Sequence, residues 1–155
     1  MPAAPSQRRA RPLRVLAACF LGVLLSTVAR ADPSTDYILH CRGCHRPDGS
    51  GVPGAAPSFR GQLAKFLWIP GGREYLIRVP GTAQSELSDA RVAALLNWML
   101  LNFSAAALPA DFAPFREEEV ARYRHVPLSD VGATRRALVQ AIEAREATTP
   151  AALSH

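Results

Sequence analysis

Residues 40–51 read HCRGCHRPDGSG, two cysteines three apart with a histidine directly behind the second. No other stretch constrains the fold as much, because two thiols and an imidazole confined to five residues must serve one local chemistry. A disulfide, a zinc site, a thioredoxin-like redox pair and covalent haem attachment all use these side chains. Residues 47–61 (PDGSGVPGAAPSFRG) are dense in glycine and proline and predict a long loop without regular structure. A compact domain with such a loop needs something to fill its interior. A large, flat, apolar cofactor would do so, and would supplement the small core that a helical unit of roughly 70 residues builds alone.

The N-terminus reads as a leader rather than as part of the fold. Arg8, Arg9, Arg11 and Arg14 precede an apolar run over residues 15–25, and Ala29 and Ala31 form an A-x-A cleavage pattern. The run is too short for a comfortable membrane span, so residues 1–31 are predicted to be a signal peptide cut after Ala31. The LAAC ending at Cys19 resembles a lipoprotein box, but the apolar run continues past it. Arg8-Arg9 is a weak twin-arginine signal. Removing 31 residues from 155 leaves 124, and with Arg8, Arg9, Arg11, Arg14 and Arg30 gone the 18 basic residues fall to 13, equal to the 13 acidic ones. The basic character of the whole chain therefore resides in the leader, and no nucleic-acid partner follows from it. Cys19 leaves as well, so the mature chain keeps only Cys41 and Cys44.

Helical periodicity dominates the rest. Ser34 is read as the cap of a helix over residues 34–41, with Asp36 in its positive first turn and Tyr37, Ile38 and Cys41 on one face. One apolar turn is predicted over 62–68 and another short helix over 73–79. The clearest helix spans 88–102, capped by Ser88, with Val92, Leu95, Leu96 and Met99 along its stripe. Two tail helices follow, near 116–124 and 130–146, the second carrying Val131, Leu138, Val139 and Ile142 on one side, with fraying expected from Ala147. Glu117 to Glu119 with Arg116, Arg122 and Arg124 read as a solvated face. No strand pattern or internal repeat appears, and the fold class is all-α.

This frame separates the four chemistries. Zinc wants about four ligands, and beyond the motif only His40, His125 and His155 remain, none at finger spacing. A thioredoxin-like pair needs an α/β pattern that is missing. A disulfide suits an oxidising compartment but leaves His45 unexplained. Haem attachment accounts for all three residues: Cys41 and Cys44 as thioether anchors, His45 as an iron ligand.

The stretch CRGCHRPDGSGVPGAAPSFRG resembles the monohaem class I c-type cytochromes, of the type that accepts electrons from periplasmic dehydrogenases. Asp48, Gly49, Gly51 and Pro57 match the family's D-G-x-G turn and proline, and Trp98 its aromatic position on the last core helix. The resemblance implies a haem domain over 32–104 with an added C-terminal helical extension over 105–155. It implies one covalent haem c, with the Pro57 carbonyl accepting from the second ring nitrogen of His45. Its further implications are outer-sphere electron transfer without substrate turnover, a periplasmic location without stable membrane insertion, and redox-protein partners: a dehydrogenase, and another cytochrome or an oxidase. The family's second iron ligand, a methionine in the loop before the last core helix, has no match in VPGTAQSELSD (79–89). Met99 stands inside the helix, either as a core side chain or as the second iron ligand. His125 is the next candidate for that position, His40 precedes the motif, and an open five-coordinate iron that binds or senses a small ligand is a further alternative. Attachment to a larger dehydrogenase complex through the extension is another. Arg60, Arg73, Arg78 and Trp68 are candidates to pair with haem propionates, or else solvated side chains.

Overall fold

The computed structural model describes residues 32–148. The leader with its cleavage site, Cys19 and His155 lie outside the described residues. Within them the chain is helical, and the sole strand-like pairing is an isolated antiparallel bridge between Val52 and Ala56. No helix among the described residues is long and apolar enough to cross a membrane.

Helix α1 (Pro33–His40) begins one step earlier than expected. Asp32, not Ser34, is the N-cap: its carboxylate accepts from the Ser34 amide at 3.0 Å and the Ser34 hydroxyl at 2.8 Å, and Pro33 takes the first helical position. Asp36 does more than suit the first turn. It is 0% exposed and forms a two-pronged ion pair with Arg91, whose Nε lies 3.2 Å from one carboxylate oxygen. Ile38 does not share the buried face of Tyr37; it is 47% exposed. After α2 (Arg42–His45) come the long loop and a 3-10 helix at Leu63–Trp68, then α3 (Gly72–Arg78) and the single turn α4 (Pro80–Ala83). Gly72 is required where it stands, because a Cβ there would lie 2.0 Å from the Phe66 carbonyl oxygen.

Helix α5 (Asp89–Phe103) is the spine. Ser88 caps it, accepting from the Arg91 amide at 3.4 Å, and Val92, Leu95, Leu96, Met99 and Leu100 are buried along it. Helix α1 packs on α5 through rings: Tyr37 lies 5.4 Å from Trp98 and 5.0 Å from Phe103, and Trp98 meets Phe103 edge-on at 5.4 Å.

The extension holds a 3-10 turn at Ala105–Ala107, α6 (Glu117–Tyr123) and α7 (Val131–Thr148). Asp130 caps α7, accepting from the Ala133 amide at 2.8 Å, and the helix continues through the expected fraying point to Thr148. Phe115 and Val120 are buried, and the Asn97 amide exchanges two bonds with the Phe115 backbone, at 3.0 and 2.7 Å. The acidic run is not wholly solvated: Glu119 pairs with Arg73 of α3, which lies over the Phe115 ring at 3.9 Å. Arg78 donates to the Val126 and Pro127 carbonyls at 2.7 and 2.8 Å. Arg124, 9% exposed, holds the carbonyls of Ala83, Ser85 and Leu87 together with the Asp89 carboxylate.

Candidate functional site

Helix α1 stops at Cys41, whose φ of −124° leaves the helical range, and the chain turns once more as α2. The Cys44 and His45 amides both donate to the Cys41 carbonyl, at 3.2 and 3.0 Å. Residues three and four apart on a helical turn share a side, so this turn presents two thiols and an imidazole together. Both cysteines are free thiols. Burial, with smaller contributions from Asp36 and Cys44, pushes the Cys41 thiol up to about 11. Such a thiol stays protonated at neutral pH, unlike the thiolates that bind zinc or attack disulfides. Among the described residues, no three His, Cys, Asp or Glu side chains gather as a metal site.

His45 is oriented by the loop that follows. The Tyr37 hydroxyl donates to the Arg46 carbonyl at 2.6 Å, holding the residue at which the chain swings into a left-handed turn (φ 62°). Asp48 accepts from the Ser50 amide at 3.1 Å and pairs with Arg60 at 3.3 Å. Gly51, at φ 72°, returns the chain so closely that a Cβ would lie 2.4 Å from the Ala56 oxygen and 2.7 Å from the Pro57 carbonyl. That carbonyl lies 3.0 Å from His45 Nδ1. A carbonyl only accepts, so Nδ1 carries the proton and Nε2 keeps the free lone pair. Burial lowers the His45 pKa against the opposing effect of the Pro57 bond, and this lowering favours the neutral imidazole a metal requires. The Phe59 ring stacks on the imidazole at 3.9 Å.

Cys41, Cys44 and His45 line one cavity of about 740 Å³. Its apolar walls include Phe66 and Leu76, and Leu95, Leu96 and Met99 of α5. Two thiols and an imidazole with a free nitrogen, side by side on an apolar cavity of this size, fit a haem c. The extension lines the same cavity: Val131, Arg135, Val139, Ile142, Glu143 and Glu146 of α7 all face it. A shallower depression of about 700 Å³, bordered by Arg73, Asp111 and Arg122, contains none of the motif residues.

Other expected site residues fall elsewhere. His125 is exposed and does not line the cavity, so it is not placed to reach an iron there. His40 reaches the cavity edge as an exposed side chain. The four propionate candidates are engaged away from the cavity: Arg60 by Asp48, Arg73 by Glu119, Arg78 by two carbonyls, and Trp68, whose Nε1 donates to the Ala107 carbonyl at 2.8 Å. The cavity-facing cations are instead Lys65 and Arg135. A readable signal marked Arg135: at 131, 135, 139 and 142 it occupies the apolar stripe of its helix, where a charge is out of place. Tyr75 carried no comparable signal.

No family model matches the chain. Two relatives do, both from Thermus thermophilus and each called cytochrome c-552. One is 36% identical over 115 residues, covering 63% of this chain and 77% of the relative. The other is 36% identical over 113 residues, covering 61% of this chain and 86% of the relative.

Proposed function

We propose a function from a premise now in hand: the chain belongs to the monohaem class I c-type cytochromes. It is an electron carrier, not an enzyme; it holds covalently bound haem c and acts with redox partners. The finer reading is ours. The chain is exported to the periplasm after cleavage following Ala31, and shuttles electrons from a dehydrogenase to another cytochrome or an oxidase. Its leader pattern and a fold that keeps two thiols free for haem support export.

The observation that carries the residue assignment is the shared cavity wall of Cys41, Cys44 and His45, with His45 Nδ1 tied to Pro57. Cys41 and Cys44 would hold the haem, each thiol adding across a vinyl double bond with its sulfur bonding one carbon and its hydrogen going to the other. His45 Nε2 would hold the iron, with the Pro57 carbonyl, 3.0 Å from Nδ1, fixing its tautomer and ring orientation. Haem c, once bound, supplies a one-electron ferric/ferrous couple. The chain's contribution is steric and dielectric: Leu76, Leu95 and Leu96 exclude water, and the clamped loop limits rearrangement.

Met99 is our candidate to hold the iron as its second ligand. It is the sole methionine among the described residues, and it lines the cavity at 5% exposure. A second reading, an iron open on one side, is favoured by a specific observation. The loop over 79–88 holds neither methionine nor histidine and is tied down by Arg124, while Met99 is fixed in mid-helix between leucines.

Ferric and ferrous optical spectra of the matured protein test these assignments. Haem that survives acid-acetone extraction is expected, together with the weak far-red band of methionine-sulfur ligation. Low-spin haem without that band would remove Met99, and a high-spin spectrum with carbon monoxide binding would select the open iron. Cys41→Ser or Cys44→Ser should weaken covalent retention, and His45→Ala should abolish the normal spectrum. A low-spin spectrum unchanged in His45→Ala would sink the ligand assignment.

A further inference from the structure

The polar groups that face the haem cavity are nearly all matched to partners. Lys65 pairs with Glu146 at 2.6 Å, Ser85 donates to the Thr82 carbonyl at 2.9 Å, Ser58 to the Gly49 carbonyl at 3.3 Å, and His45 is tied to Pro57. His40, Gln62 and Glu143 are exposed to solvent. Besides the half-buried Thr82 hydroxyl, which can both donate and accept, two groups stand apart. Tyr75 of α3 is 6% exposed, lines the cavity, and its hydroxyl makes no hydrogen bond among the described residues. Arg135 of α7 is half-buried on the same cavity and makes neither a hydrogen bond nor an ion pair among the described residues. The two are close enough for the Arg135 charge to act on the Tyr75 hydroxyl, opposing the rise that burial causes.

A hydroxyl on the cavity wall and a half-buried guanidinium are both donors, and a guanidinium has no lone pair to offer in return. Once a cofactor fills the cavity and displaces water, donors left unmatched there are unfavourable. An oxygen carrying negative charge would accept from both, and guanidinium geometry suits a carboxylate in particular. The haem brings carboxylates, and all four side chains expected to receive them are engaged elsewhere.

We propose that Tyr75 and Arg135 form a receptor for an anionic oxygen inside the haem cavity, so that the C-terminal extension completes the haem site. The inference rests on the haem-binding reading above. The shared chemistry is a carboxylate or similar small anion, and it has two sources: a propionate of the haem itself, or an exogenous anion held beside the iron.

The test uses the matured holoprotein with Tyr75→Phe, Arg135→Gln and Arg135→Lys, and with Arg136→Gln, a neighbouring exposed arginine, as control. Haem content is measured first: wild-type protein without haem would refute the haem-binding reading itself and is thereby told apart. Two readouts follow. If the anion is a propionate, the inflection in reduction potential against pH moves up by about one pH unit in Arg135→Gln, because the ionised carboxylate loses its cation. Arg135→Lys recovers part of that shift. If the anion is exogenous, ferric affinity for azide or formate falls about tenfold in Tyr75→Phe and Arg135→Gln, with the potential curve unmoved. Either result, or both, supports the receptor and names its source. Variants matching wild type and Arg136→Gln in both readouts would overturn it.

Discussion

The region from α1 through α5 and the extension beyond it are held by different forces. Around the motif, rings and aliphatic side chains interlock: Tyr37, Trp98 and Phe103 join α1 to α5, and the fully buried carboxylate of Asp36 is matched by Arg91. The extension buries little beyond Phe115, Val120 and Ile142, and is fastened by arginines reaching across to carbonyls and carboxylates, Arg73, Arg78 and Arg124 foremost. Apolar packing excludes water without regard to direction, whereas guanidinium bonds place one segment at a defined position on another. The motif region therefore forms the cavity, and the extension closes one wall of it by directed bonds. Segments with few buried apolar contacts open at lower free energy than a packed core, so the two should differ in local stability.

The largest effect is expected at the core ion pair. Arg91→Ala leaves the buried Asp36 carboxyl without its partner, read as the largest drop in urea midpoint among these variants, with protection lost in both α1 and α5. An unchanged midpoint would mean that Asp36 is not the keystone of this region. Gly51→Ala comes next: left-handed backbone and a Cβ against the Pro57 carbonyl should cost about 2 kcal/mol and disturb the imidazole. Its signature is an altered haem spectrum, absent from Gly54→Ala, where φ is 76° but no atom lies within 4 Å of the added Cβ.

Arg124→Ala sharpens the contrast between the regions. It leaves three carbonyls of residues 83–87 without their donor, at about 2 kcal/mol. Hydrogen exchange should rise in that loop and in α6 while α1 stays protected. Equal loss of protection in α1 would show that the two regions open as one unit, and the contrast would fail. The smallest effect is expected at Asp48. Hydrogen bonds from Ser50, with a smaller contribution from Arg60, lower its carboxyl below the ordinary 3.8. A depressed folded value adds stability that is present above pH 3.8 and is lost as pH falls through the folded value. Asp48→Asn should flatten that acid limb slightly in a pH series of melts; an identical limb would remove Asp48 from the account.

Much of this was legible from local pattern. Ser88 and the 92-95-96-99 stripe mark α5 because capping and helical periodicity operate within a few residues. The Asp48-Gly49-Gly51 turn and Pro57 were readable because they repeat a family's spacing. The misreadings have two origins, one local and one remote. Ser34 lost the cap to Asp32 two residues before it, a contest between capping residues within a single turn. Ile38 pointing outward, Asp36 pairing 55 residues away with Arg91, and Arg73 and Arg78 turning to the extension all depend on partners remote in sequence. A charge on a helix reads as solvated until the segment that covers it is known.

What the sequence determined by itself is the chemistry: two thiols and an imidazole bound by spacing to one turn, and a helical chain around them. Tertiary structure alone decided which residues surround that chemistry. It gathered Tyr75, Met99 and Arg135 from three helices onto one cavity, set His125 aside, and made the extension a wall of the site. The physical reason is range. Caps, turns and stripes arise from bonds spanning a few residues, whereas a cavity exists only where distant segments fail to fill the space between them.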